Sequence, residues 1–269
     1  MNKTTSRLTR PWRIISAGKR PFPDFLIIGA QKCGTTSLYE YLKQHPGLSS
    51  NIGEKEIHFF DKNFRKGSRW YKSNFPLRRE GVLYYEATPY YIFHPLAPHR
   101  VRDLLPNAKL IVMLRNPVDR TFSHYKWQVR RGRESLSFEE AIEREKERLE
   151  GEEERLIREP FYQSFNHRKF GYVARSKYIV QIKNWRKHFS GAEMLILDSK
   201  ELQSDPENCF KRIFRFLDVE SRRISIGKNH NPGNYADRIP SEIRARLVKL
   251  FEPYNNELYR LLGRNFNWN

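Results

Sequence analysis

Lys32, Thr35, Thr36 and Ser37 fall within six residues of one another in Gly29-Ala-Gln-Lys-Cys-Gly-Thr-Thr-Ser37, directly after the apolar run Phe25-Leu-Ile-Ile28. One ammonium and three hydroxyls held between glycines are the makings of an anion cradle. Gly29 and Gly34 permit close backbone approach, and a helix opening after Gly34 would aim free amides and its positive end at a phosphate. The Gly-x-x-x-x-Gly spacing matches a nucleotide P-loop, but Thr35 and Thr36 stand where Lys-Ser or Lys-Thr belongs, and the lysine comes two places before the second glycine. A strand-to-helix turn without any ligand is the competing reading of the same residues.

A second strand-like run, Lys109-Leu-Ile-Val-Met-Leu114, leads into Arg115-Asn-Pro-Val-Asp-Arg-Thr-Phe-Ser123. In an open α/β sheet, ligands bind beyond the carboxyl ends of the strands, so Arg115 is expected in the same crevice as Lys32. A guanidinium offers two parallel hydrogen bonds to a phosphate monoester, and Ser123, two helical turns on, could share that anion. Pairing of Arg115 with Asp119 is the alternative. The third cluster, Glu54-Lys-Glu-Ile-His-Phe-Phe-Asp61, places Glu54, Glu56 and His58 on one side of an extended segment, opposite Lys55 and Ile57. A carboxylate there could serve as a general base, or the cluster is an exposed polar loop.

Strands at Phe25–Gly29, Val82–Glu86, Lys109–Leu114 and Met194–Leu197 would position these groups. Helices are expected at Ser37–Gln44, Pro95–Leu105, Val118–Arg131, Phe138–Ile157, Val173–Phe189, Pro206–Leu217 and Pro240–Leu262. Alternation of this kind predicts one α/β domain over residues 24–269, with a central parallel sheet flanked by helices and a P-loop-like strand-loop-helix unit. Residues 1–23 are expected to be a flexible basic arm, and the Glu- and Arg-dense 139–154 stretch a solvated, ion-paired helix face.

The 269 residues carry 50 Lys+Arg against 31 Asp+Glu, a formal net charge of +19, which favours anionic partners without choosing among them. Zinc-finger spacing, an RNP signature and a basic zipper are all missing, which argues against nucleic acid. Two distant cysteines, Cys33 and Cys209, argue against a disulfide framework. The eight histidines show no metal-ligand spacing, so no metal is expected. With neither a signal-peptide core nor an 18-residue apolar run, the expected location is the cytoplasm.

Together the three segments resemble the sulfotransferases that use 3′-phosphoadenosine 5′-phosphosulfate (PAPS), in particular the carbohydrate branch with the heparan sulfate N- and 3-O-sulfotransferases. Gly29 to Tyr39 looks like that family's 5′-phosphosulfate loop, Leu114 to Tyr125 its 3′-phosphate segment, and Glu54 to Asp61 the segment with its catalytic glutamate. Tyr85-Glu-Ala-Thr-Pro-Tyr90, Tyr178 to Trp185 and Gly263 to Trp268 also find counterparts. The resemblance implies a sulfotransferase fold and transfer of a sulfuryl group from PAPS, without metal, to a hydroxyl or amine of a glycan or glycosylated small molecule. It implies that Lys32 contacts the leaving phosphate and that Lys32, Cys33, Gly34, Thr35, Thr36 and Ser37 hold the 5′-phosphate. Arg115 and Ser123 would hold the 3′-phosphate, Glu56 would be the base and His58 a substrate contact.

The sequence departs from that pattern at Ala87, where many 3-O-sulfotransferases have lysine, and in lacking the family's C-terminal disulfide and Lys-Gly-Arg loop. Lys228 is expected as a substitute phosphate contact, in a soluble enzyme of bacterial type. Two other readings stand beside this one: a P-loop kinase or NTPase, which needs lysine at Thr35 and an acidic strand end at Arg115, and a non-catalytic polyanion-binding module.

Overall fold

The computed structural model describes residues 10–227 and 239–268. Five strands, β1 (Phe25–Gly29), β2 (Leu48–Ser50), β3 (Leu83–Ala87), β4 (Lys109–Leu114) and β5 (Met194–Asp198), form one sheet in the order β2-β3-β1-β4-β5. Every neighbouring pair is parallel; Phe25 faces Tyr85 on one side and Lys109 on the other. All of β1 and the stretch Leu110–Leu114 of β4 are buried, as expected of strands covered on both faces. Chain order reverses at β1, whose neighbours β3 and β4 continue in opposite directions across the sheet. The crevice therefore opens beyond the carboxyl ends of β1 and β4, where Lys32 and Arg115 lie.

Helices α1 (Thr35–Leu42), α2 (Ala97–Leu104), α3 (Pro117–Arg130), α4 (Tyr178–Arg186), α5 (Pro206–Leu217) and α6 (Ser241–Leu262) cover the sheet. Local chemistry sets their starts. Asn116 Oδ1 accepts the amides of Val118 at 3.0 Å and Asp119 at 3.4 Å, and Pro117 opens α3. Asp205 caps α5 by accepting the Asn208 amide at 3.2 Å.

Three expectations need correction. The helix expected over Phe138–Ile157 is three short ones, Phe138–Glu143, Glu145–Leu149 and Glu152–Arg158. Gly151, at φ 70°, interrupts the spiral, and Glu145 turns inward to accept the amides of Val173 at 2.6 Å and Ala174 at 2.7 Å. The expected ion pairing does occur outside, as in Arg144–Glu147 at 3.0 Å. The three-residue edge strand β2 gave no apolar run long enough to stand out. From Arg10 onward the basic stretch expected to be a free arm is folded, as a helix (Arg10–Ile15) and a 3-10 turn (Ser16–Lys19).

Trp268 ties the far end of the chain to the sheet. Its Nε1 donates to Asp198 Oδ2 at 2.9 Å at the end of β5, and its ring packs on Phe266, 4.7 Å between centroids, and on Tyr178, 5.7 Å.

Candidate active site

The loop between β1 and α1 is shaped by two left-handed residues, Lys32 at φ 73° and Gly34 at φ 85°. Gly34 is needed for that conformation, since a Cβ there would meet nothing closer than 3.9 Å. Gly29 is needed for space, because a Cβ on it would lie 2.7 Å from Ile92 Cβ and closer still to Cγ2. The first α1 hydrogen bond runs from the Leu38 amide to the Gly34 carbonyl at 3.0 Å, so the amides of Thr35, Thr36 and Ser37 lead the helix and can meet an anion. The Cys33 side chain is buried with its Sγ 3.6 Å from the Tyr178 hydroxyl, and its amide donates to the Ala30 carbonyl at 3.2 Å, closing the loop on itself.

Arg120 braces the loop from below. Fully buried, it donates from Nε to the Gln31 carbonyl at 3.1 Å, and from Nη1 to the Tyr172 carbonyl at 2.8 Å and Ser176 Oγ at 3.0 Å. Tyr178 adds a second brace by donating to the Arg115 carbonyl at 2.9 Å.

Cations crowd the crevice. Burial, then the charges of Arg130, Arg115 and Arg120, push the Lys32 ammonium down to about 8. It rests 4.9 Å from the centre of the Trp127 ring, which also carries Arg130 at 4.8 Å and Arg131 at 4.4 Å. Asp119 pairs with Arg244 at 2.6 Å, and among the described residues Arg115 forms no ion pair. Such mutual repulsion is what a polyanionic ligand relieves. Ser123 is buried on α3. Lys228 lies outside the described residues.

On the opposite side of the loop stands the carboxylate cluster. His58 adopts φ 53° and leads the helical turn Phe59–Asn63, which curls Asp61 back to the imidazole. His58 Nδ1 lies 2.9 Å from Asp61 Oδ2 and Nε2 lies 3.1 Å from Glu56 Oε2. Burial alone would lower His58, but its hydrogen bonds to Asp61 and Glu56 outweigh that and raise it to about 9. Burial would raise Glu56, yet the hydrogen bond from His58 and the charges of Lys55 and Arg168 hold it below the usual carboxylate range. Its side chain remains 38% exposed, open to an incoming group.

The segment is not the extended strand that alternation suggested. Instead of pointing away, Lys55 donates to Thr36 Oγ1 at 3.0 Å and reaches Thr35 Oγ1 at 3.5 Å, while standing 3.6 Å from Glu56 Oε1. Two hydroxyls fix the turn: Thr88 accepts the His58 amide at 3.4 Å and Tyr91 the Phe59 amide at 2.7 Å, and both donate to the buried Glu86 carboxyl. Burial pushes Glu86 up to about 7.

Lys55, Arg120, Trp127, Arg168, Tyr178 and Asp61 are therefore site residues that spacing did not single out. Arg120 and Asp61 had a signal, since each sits inside a segment already marked; Arg168, whose Nη2 lies 3.0 Å from His58 Nε2, comes from a helix far along the chain and had none. Among the described residues no group of three or more His, Cys, Asp or Glu could hold a metal ion, and no helix is long and apolar enough to cross a membrane.

The chain has known relatives. The mouse heparan sulfate glucosamine 3-O-sulfotransferase 3A1 is 28% identical, over 95% of this chain and 66% of that protein, so the chain spans slightly under two thirds of it. The Xenopus laevis bifunctional heparan sulfate N-deacetylase/N-sulfotransferase 1 is 35% identical over 90% of this chain and 30% of its own length. A crystal structure of a sulfotransferase from Alicyclobacillus acidocaldarius superposes with a TM-score of 0.75 at 30% identity, covering 92% of this chain and 99% of that one. A mouse sulfotransferase complexed with PAP shares the fold at TM-score 0.55 and 14% identity, with 93% and 91% covered. A sulfotransferase domain model matches residues 22–232, and with the loop, the cation crevice and the carboxylate cluster this shows that the chain belongs to the sulfotransferase family.

Proposed function

We propose that this sulfotransferase moves a sulfuryl group from PAPS to a hydroxyl or amine of a carbohydrate-containing acceptor, with Glu56 as general base. The observation that carries the reading is Lys55, which touches both the hydroxyls of the anion cradle and the Glu56 carboxylate. One side chain thus joins the place fitted to a phosphate to the group fitted to take a proton.

The residues present fit such a donor: helix-leading amides, three hydroxyls and a lysine whose ammonium is destabilised by neighbouring cations. Bound there, PAPS would supply an activated sulfuryl group with a phosphate as leaving group. Lys32 would neutralise the charge that gathers on that phosphate, while Thr35, Thr36 and Ser37 bind it. Arg115 and Ser123 would hold the 3′-phosphate, with Lys228 as a further contact. Glu56 would take the acceptor proton, a step contributing on the order of 100- to 10,000-fold. His58, held by Asp61, would orient the Glu56 carboxylate beside the acceptor, its two ring nitrogens being taken by Asp61 and Glu56. Relatives named for heparan sulfate support a carbohydrate acceptor, and two buried free thiols, Cys33 and Cys209, suit a reducing cytoplasm.

The test is transfer of labelled sulfate from PAPS to a panel of carbohydrate acceptors, with binding of adenosine 3′,5′-bisphosphate measured in parallel. Glu56→Gln should lower turnover by about 100- to 10,000-fold and leave bisphosphate affinity within about twofold. Undiminished turnover removes Glu56 as base. Binding of adenosine 5′-phosphate as tight as that of the bisphosphate removes the donor assignment.

A further inference from the structure

The helix Arg10–Ile15 packs on the helix Gly67–Lys72. Arg10 donates to Asn74 Oδ1 at 2.9 Å and lies 4.9 Å over the Trp70 ring, which Lys66 also covers at 4.5 Å. The Lys19 carbonyl accepts the Arg78 amide at 3.0 Å, joining the two segments further along. Residues 10–23 contain four Lys/Arg and residues 62–79 seven, and neither stretch contains an Asp or Glu; Asp24 and Glu80 mark where the acid-free stretches end.

Other parts of the surface match cation with carboxylate, as in Lys211–Glu207 at 2.6 Å and Arg246–Glu139 at 3.2 Å. Here, among the described residues, none of Arg10, Lys62, Arg65, Lys66, Arg69 and Lys72 is in an ion pair. Burial, then the charges of Arg10 and Lys62, lowers Lys66. An acid-free cationic field of this kind calls for an anionic counterpart.

Exposed apolar side chains decide which. Trp12 is 73% exposed and Ile15, one turn on, 67%, while Arg13 between them turns inward. Phe161, 57% exposed, lies 5.3 Å from the Arg65 guanidinium at the other end of the field. A soluble polyanion accounts for the cations but gives Trp12 and Ile15 nothing to enter. We propose that this face docks on an anionic lipid bilayer, with Trp12 and Ile15 in the headgroup region and the surrounding Lys and Arg against lipid phosphates. Indole and aliphatic side chains partition to that depth, and each nearby cation raises binding to an anionic leaflet about fivefold. Lys62 lines the same small cleft as Asp61 and Arg168, so the face borders the base side of the crevice and would present it to an acceptor held at the membrane.

The test is co-sedimentation of the full chain with vesicles of phosphatidylcholine alone, or with about one third phosphatidylglycerol. Binding should require the anionic lipid and weaken with salt. The double substitution Trp12→Ser/Ile15→Ser should lower it by about tenfold or more, and Lys66→Glu/Arg69→Glu by at least as much. A soluble sulfated polysaccharide should bind wild type and the Trp12/Ile15 variant alike. Trp12 and Ile15 are exposed, so their loss leaves the fold intact, which circular dichroism checks. No binding to anionic vesicles, equal binding by the Trp12/Ile15 variant, or polysaccharide binding that falls in step would each overturn the proposal. None of these readings depends on sulfuryl transfer.

Discussion

Lys32 provides a quantitative handle on the proposed donor site. Its ammonium is held near 8 by burial and by Arg130, Arg115 and Arg120. A bound bisphosphate reverses that balance and returns the group toward its ordinary 10.5, so binding takes up a proton once the pH passes 8. The interval is worth about 3.4 kcal/mol at about 1.36 kcal/mol per decade. The sign follows: affinity is full below about 8 and falls as pH rises, with the dissociation constant for adenosine 3′,5′-bisphosphate growing about 20-fold between about pH 7.5 and 9.5. Isothermal titration calorimetry in buffers of different ionisation enthalpy would measure both the constant and the proton uptake. Lys169, lowered to about 8, and His58, raised to about 9, titrate in the same window, so the control is Lys32→Arg, whose guanidinium stays charged. Its profile should lose most of the slope. A flat wild-type profile, or an equal slope in Lys32→Arg, refutes the argument.

Two further outcomes follow from the geometry. Asp61→Asn removes one of the two carboxylates holding His58 near 9, so His58 should titrate closer to its ordinary 6.5, as read from imidazole proton shifts by NMR; titration still near 9 assigns the effect to Glu56 alone. Gly29→Ala forces a Cβ into Ile92 and should destabilise the fold by about 1–3 kcal/mol, lowering the melting temperature by about 2–12 °C. Combined with Ile92→Ala it should show a favourable coupling, and strictly additive losses would mean that the loop relaxes elsewhere.

The sheet and the two turns after β1 and β4 were legible because each is written locally: an aliphatic run, a glycine or Asn-Pro turn, then a helix. Lys32 and Arg115 follow from that grammar, since strand ends in a parallel sheet share one edge. Glu56 and His58 were visible as residue types, but their true relation was not, because alternation assumed an extended chain where His58 turns left-handed. That single dihedral brings Asp61 under the imidazole. Lys55 shows the same limit, for its side chain crosses to the hydroxyls of Thr35 and Thr36 instead of pointing away. Trp127 and Arg168 act through tertiary contacts that no local spacing encodes, and Arg120, though inside a marked segment, reaches Gln31 and Tyr172 only through the fold.

The tie between Trp268 and Asp198 has a consequence for the order of synthesis. Trp268 packs on Tyr178, the residue that contacts Cys33 and holds the Arg115 carbonyl, so the loop after β1 is braced in part by residues translated long after it. At about 5–20 residues per second the ribosome needs roughly 12–50 s to travel from Cys33 to Trp268. During that interval a nascent chain can assemble β1, β3 and β4 while Tyr178 still lacks its cover. A transcript cut short before Phe266 would then yield a protein with its sheet formed and the loop after β1 loosened, a species that antibodies to the folded sheet would count as intact.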